Sequence, residues 1–178
     1  MTTITTERLI LRPLDERDLD DLVVAINNFQ IVKNTARIPF PYMRKDAEDY
    51  LALTRKADAS TLFLSMALKA EPHRVIGGIS SEGGESDAEI GYWIAQPLWG
   101  KGYTGEAARA LTAHVFQYTD YNALVAGYRI GNEASHRILA RLGFTSTHEE
   151  MIASRGLGYL VPVMRVALAR EKWERGGV

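Results

Sequence analysis

The 178 residues suffice for one domain with a full core, burying roughly 70% of the unfolded chain's surface, and are too few for two comfortable ones. Lys and Arg number 21 against 22 Asp and Glu, a formal net charge of −1, without the basic stripe that a nucleic-acid surface needs. Cysteine is absent, which excludes disulfides, a thiol nucleophile and thiolate metal ligands.

No apolar run approaches the roughly 20 residues of a membrane helix, and the polar start from Met1 to Arg8 lacks a signal peptide's apolar region. A cytoplasmic protein with no membrane or nucleic-acid partner is expected. His73, His114, His136 and His148 fall in no metal-ligand spacing, so no metal is expected either.

Taken in order, Arg8-Leu9-Ile10-Leu11-Arg12-Pro13 is a run of β-formers stopped by proline, an opening strand. Asp15 can cap the helix that follows, where Leu19, Leu22, Val23 and Ile26 recur at i, i+3, i+4, i+7. Asn34 to Tyr42, with Pro39 and Pro41, reads as a loop; Ala47, Tyr50, Leu51 and Thr54 mark a second helix ending near Ala57. Thr61 to Leu68 and Arg74 to Ile79 read as a hairpin turning at Pro72. A break from Glu82 to Asp87 leads into a strand from Ala88 to Ala95, which completes an antiparallel meander. In that strand Ile90, Tyr92 and Ile94 alternate with Glu89, Gly91 and Trp93.

A glycine-rich turn, Gln96 to Gly105, joins this strand to a helix with Ala108, Leu111, Thr112 and Val115 on one face. Such a junction leaves several backbone N–H groups unpaired at the positive end of the helix dipole, the physics of a phosphate cradle. It is not a nucleotide-triphosphate loop, because Ala95 stands where the first glycine belongs and Gly102 where Ser or Thr would hold magnesium. Nor is it a dinucleotide fingerprint, since no strand-borne acid follows at the ribose distance. After the helix ends near Tyr118, Ala123 to Tyr128 is a strand that the crossover makes parallel to the Ala88 strand. Asn132 can cap the next helix and Gly143 can end it in the left-handed conformation. Tyr159 to Leu168 closes the chain as a strand, with Pro162 suggesting an irregularity or an edge.

Three stretches together resemble the GNAT (GCN5-related N-acetyltransferase) superfamily. The run Trp99-Gly100-Lys101-Gly102-Tyr103 is similar to its acyl-CoA loop, with Trp99 at the usual Gln/Arg place and Thr104 at the Gly/Ala place. Asn132-x-x-Ser135 followed by Leu142-Gly143-Phe144 is similar to its second signature, about 30 residues on. With the opening phrase Thr6 to Leu14, the likeness points to the RimJ/RimL-type branch of ribosomal-protein N-terminal acetyltransferases. It implies an α/β (α+β) GNAT fold, a single domain over residues 1–178 with its core at about 5–169. The sheet is expected to be mixed and mostly antiparallel with a central splayed parallel pair, and helices on both faces.

The resemblance implies acetyl-CoA in the splay, with pantetheine near Trp93, Ile94 and Ala95. The pyrophosphate would meet Gly100, Lys101, Gly102, Tyr103, Thr104 and Gly105, and Asn132 would touch the coenzyme. The reaction implied is direct acetyl transfer to a primary amine, a protein N-terminus in the first place and a small amine as the alternative. A non-catalytic acyl-CoA-binding module is the third reading, and homodimers are common in the family. Glu89 is the candidate base, against a solvent-facing or arginine-paired carboxylate. Ser135, on the apolar stripe of its helix, is the candidate acid toward the thiolate, and Tyr128 on the preceding strand is its rival. Phe40 and Tyr42 are read either as lining the acceptor pocket or as packing anchors.

Overall fold

The computed structural model describes residues 2–58 and 60–176. The opening β-formers pair as a small hairpin, β1 (Ile4–Thr5) with β2 (Leu9–Arg12). The Asp15 carboxylate then accepts from the Arg17 N–H and caps a single 3-10 turn, Glu16–Asp18, which runs into α1 (Leu19–Ile26). Leu19, Leu22 and Ile26 are buried, as their spacing requires. A one-turn helix, α2 (Phe29–Val32), capped by Asn28, precedes the loop from Asn34 to Tyr42. Helix α3 (Arg44–Lys56) follows.

The meander forms from β3 (Thr61–Leu68), β4 (Gly77–Gly83) and β5 (Asp87–Ile94). Strand β4 begins later than its apolar residues suggest and runs through Gly83. Its first two residues must be glycine: a Cβ at Gly77 would lie 2.6 Å from the Trp93 carbonyl oxygen, and one at Gly78 2.6 Å from the Trp93 indole nitrogen. The second half comprises α4 (Tyr103–Tyr118), β6 (Ala123–Arg129), α5 (Glu133–Arg141), β7 (Thr145–Ser154), β8 (Tyr159–Ala169) and α6 (Arg170–Gly176).

Among the described residues eight strands form one sheet in the order β1-β2-β3-β4-β5-β6-β8-β7, in which only β5 and β6 are parallel. Strand β7 and helix α6 have no counterpart in the sequence reading. Strand β8 is not the expected edge, because β7 folds back onto its outer side. Pro162 is tolerated there because its carbonyl accepts from Ile130 just past the last β6–β8 pair, Arg129↔Val163. The missing N–H therefore faces the end of β6, and no bond to β7 is lost.

Two apolar clusters fix the layers. Between one face of the sheet and α4, α5 and α6 lie Ile79, Ile90, Leu111, Val115, Leu124, Leu139 and Leu168. On the other face α1, α2 and α3 enclose Leu22, Ile26, Tyr42 and Leu51. Trp93 of β5 packs against this second cluster, and Val161 and Val163 of β8 are buried on the same side of the sheet. Among the described residues no helix is long and apolar enough to cross a membrane.

Candidate active site

Strands β5 and β6 pair at only three positions, Asp87↔Ala123, Ala88↔Leu124 and Glu89↔Val125. Each is held on its other side well beyond that point, β5 by β4 as far as Ile94 and β6 by β8 as far as Arg129. The strands therefore diverge into a gap without either coming loose. The residues that would face each other next on the outer side are Gly91 and Gly127, so no side chain fills the opening. The Ala95 N–H is bonded to Ile76 beside β4; by strand alternation the main-chain groups of Tyr92 and Ile94 aim into the gap. Trp99 takes one of them, its indole N–H donating to the Ile94 carbonyl at 2.9 Å. The Tyr92 main chain and the Ile94 N–H are left for a ligand.

At the end of the gap the chain turns into α4 through Gly100 and Gly102, both left-handed at φ 77° and 81°. None of the six N–H groups from Gly100 to Gly105 has a protein acceptor among the described residues, and a Cβ at Gly100 or Gly105 would meet nothing within 4 Å. These unpaired donors surround the N-terminus of a 16-residue helix, where an anion is favoured. Beside them, Glu106 accepts from the Thr6 hydroxyl at 2.5 Å, the Arg8 N–H at 2.8 Å and the Arg8 guanidinium at 2.6 Å. Burial alone would raise the Glu106 pKa, but these bonds more than offset that and hold it below the usual carboxylate value.

Gap and loop open into one cleft of about 800 Å³, lined by Trp93, Ile94, Gly100, Gly102, Tyr103, Thr104 and Gly105 on the β5–α4 side, and by Tyr128, Asn132 and Ser135 across from them. The Asn132 side-chain oxygen caps α5 by accepting from the Ser135 N–H. That cap fixes Ser135 in the first turn, with its hydroxyl 2.8 Å from the Tyr92 hydroxyl. Burial pushes the Tyr92 pKa up to about 12, so the phenol keeps its proton. Tyr128 lines the cleft beside this pair with its ring stacked on His136 at 5.3 Å.

A strand pair opening beside a loop of free N–H groups, with hydroxyls in the gap, is the arrangement that the sequence motifs imply. A family profile described as "Acetyltransferase (GNAT) domain" matches residues 8–145. The chain belongs to the GNAT acetyltransferase family. It is 36% identical over 90 residues to the putative ribosomal N-acetyltransferase YdaF of Bacillus subtilis, a match spanning 49% of this chain and about half, 48%, of that protein. To the uncharacterized N-acetyltransferase p20 of Bacillus licheniformis it is 27% identical, over 97% of this chain and 99% of that one. Its fold superimposes with a TM-score of 0.82 on a RimL ribosomal L7/L12 alpha-N-protein acetyltransferase solved with coenzyme A, at 19% identity, covering 96% of this chain and 99% of that one.

Not every candidate comes to the GNAT cleft. Glu89 does not: the Arg165 guanidinium donates to its carboxylate at 2.7 Å, and it lines a separate hollow of about 400 Å³ with Glu82, Asp87 and His148. Its carboxylate is taken up by this ion pair and is not turned to the cleft. Gly127 makes the pairing possible, since a Cβ there would lie 2.9 Å from the Arg165 guanidinium. Ala95 and the Lys101 side chain are absent from the lining, Ala95 turned toward β4 and Lys101 outward, its carbonyl accepting from Arg8 at 3.0 Å.

Tyr42 is buried among α1 and α3 and is a packing anchor, while Phe40, 43% exposed, meets Phe29 edge-on at 5.6 Å and is absent from the cleft lining. The loop instead lends the cleft Asn34 and Thr35. Bonds from Arg129 to the Lys33 carbonyl, from Arg155 to Ala36 and from Ser154 to Thr35 hold it across the outer face. Tyr92 is a cleft residue that the motifs missed. Its signal was available, because alternation places it with Ile90 and Ile94 on the face toward α5.

Proposed function

We propose that this GNAT chain is an acetyl-CoA-dependent enzyme that acetylates the α-amine of a protein or peptide N-terminus. The observation that carries the reading is the opening of β5 from β6 beside the unpaired Gly100–Gly105 N–H groups. Those donors suit a diphosphate, and the Tyr92 main chain with the Ile94 N–H suits the amides of an extended pantetheine arm. Asn132 lies where its amide can touch that arm. When bound, acetyl-CoA supplies a thioester open to attack by an amine.

Ser135 is then the residue to hydrogen-bond the sulfur as the C–N bond forms and the C–S bond breaks, its electron pair leaving with sulfur. A Tyr92 hydroxyl that keeps its proton can donate to Ser135 in turn and so turn the Ser135 proton toward sulfur; the proton shed by the amine as the C–N bond forms replaces the one the thiolate takes. Tyr128 is the neighbouring hydroxyl that this role must be tested against.

The lining of the cleft supports this acceptor class. Its lining carries no histidine, and its carboxylates, Glu7 and Glu106, belong to the phosphate end. With Glu89 held by Arg165, and with His136 stacked on Tyr128 outside the lining, the cleft presents no base at the hydroxyl pair among the described residues. An α-amine with a pKa near 7.7–8.0 is about a tenth free at pH 7 and needs none; a lysine near 10.4, free at about one part in 2,500, does. The printed names of YdaF and RimL, ribosomal and alpha-N-protein acetyltransferases, support the same class and the RimJ/RimL branch.

The test is coenzyme A release from acetyl-CoA against N-terminal peptides, the same peptides with blocked N-termini, and small amines. Free N-terminal peptides are expected to give kcat/KM at least about tenfold above the others, rising with pH through the α-amine pKa. Faster turnover of small amines overturns the acceptor, and coenzyme binding without release for any amine overturns the enzyme.

A further inference from the structure

Arg8 lies far from α4 in sequence yet is bound to its first turn at several points. Its Nε donates to Glu106 at 2.6 Å and its Nη1 to the Lys101 carbonyl at 3.0 Å, while its guanidinium stacks 4.6 Å from the centre of the Tyr103 ring. The Thr6 hydroxyl and the Arg8 N–H complete the hold on Glu106. Hairpin β1–β2 is thereby clasped to the glycine loop.

Two physical consequences follow. A trans peptide unit points its C=O and N–H in opposite directions; with the Lys101 carbonyl turned to Arg8, the Gly102 N–H is turned away from it, toward the cleft. Glu106, which lines the cleft, would otherwise set a negative charge beside the anion that the helix N-terminus attracts. Arg8 neutralises it in place.

We infer that Arg8 is a positioning residue of the phosphate cradle, orienting the Gly102 N–H through the Lys101 carbonyl and cancelling the Glu106 charge, so that the N-terminal hairpin is part of the coenzyme site. The inference rests on the reading of the cleft as an acetyl-CoA site. It makes a selective claim: Arg8 serves the pyrophosphate end and not the thioester end.

The experiment measures coenzyme A affinity by calorimetry, and kcat/KM with acetyl-CoA and with S-acetylpantetheine, which has the thioester arm but no pyrophosphate. Arg8→Ala is expected to weaken coenzyme A binding by about tenfold or more and to leave kcat/KM for S-acetylpantetheine within about twofold. Adding Glu106→Gln to Arg8→Ala is expected to restore about threefold of the affinity, because the repulsion goes with the charge; a purely structural clasp would lose more with both partners gone. Arg8→Lys, which keeps the charge but not the fork, should fall between wild type and Arg8→Ala, and carries the test if Arg8→Ala does not fold. Equal losses for both thioesters, unchanged coenzyme A affinity, or a double variant worse than Arg8→Ala overturns the inference. Failure of the wild-type chain to bind coenzyme A overturns the acetyl-CoA reading itself, and the inference with it.

Discussion

Ser135 and Tyr92 share one hydrogen bond across the gap, and the chemistry assigned to one is tested through the other. Ser135→Ala removes the donor to sulfur and is expected to lower kcat by about 10²-fold, with the coenzyme affinity nearly unchanged. Tyr92→Phe leaves Ser135 in place and should cost less, about three- to tenfold. If the two act as a unit, the double variant resembles Ser135→Ala alone. Tyr128→Phe is expected to lose less than about threefold, and a larger loss there than for Ser135→Ala would move the donor role to Tyr128. The pH profile is a second check: with a Tyr92 pKa of about 12, kcat shows no limb from this phenol below about pH 10. Ser135 is legible in the sequence because a helical stripe shows which way it points. Glu89 is misleading for the complementary reason. Alternation correctly puts it with Trp93, but what decides its role is Arg165, and the strand pairing that brings that residue over Gly127 leaves no local trace.

At the scale of elements, the joint between β2 and α1 is held by a buried ion pair. Asp18 is fully buried, and Arg12 donates to it twice, at 2.7 and 2.8 Å, while the Asp15 N–H donates at 2.8 Å. The Arg12 guanidinium beside Asp18 is held more firmly charged than usual, although burial opposes this. Arg12→Met strands the Asp18 carboxylate and is expected to destabilise by about 3–5 kcal/mol. Adding Asp18→Leu removes the stranded charge and should recover most of that loss, read as the urea midpoint at constant slope. Equal midpoints for Arg12→Met and wild type would show that Asp18 finds another partner. The elements with their own punctuation are the ones the sequence shows: caps at Asp15 and Asn132, glycines at Gly102 and Gly143, and period-two alternation in β5. Strand β7 escapes because all its residues before Glu150 are exposed, so no apolar alternation marks the half that begins it. Pro162 misleads because its tolerance depends on where another strand, β6, stops.

Across the whole molecule, both layers bury phenols that have no reason to ionise in the fold. Tyr42 lies in the cluster under α1 and α3, Tyr50 packs edge-on against Phe63 at 5.9 Å, and Tyr92 sits in the gap on the other side of the sheet. Burial pushes Tyr42 and Tyr92 up to about 12 and raises Tyr50 as well. In the unfolded chain each titrates near 10. Below that value both states hold the proton and stability is unaffected by these groups. As pH rises above about 10 the unfolded state releases protons that the folded state keeps, so stability falls until the folded value is reached. Each phenol contributes a slope of about 1.4 kcal/mol per pH unit in that window. Urea midpoints are therefore expected to be level from about pH 8 to 9 and to drop steeply toward pH 11. Tyr42 is the clean probe, since its hydroxyl has no hydrogen bond among the described residues. Tyr42→Phe should change stability at pH 8 by less than about 1 kcal/mol and flatten the alkaline slope by one proton. An unchanged slope in that variant would mean that the Tyr42 phenol titrates alike in the folded and the unfolded chain.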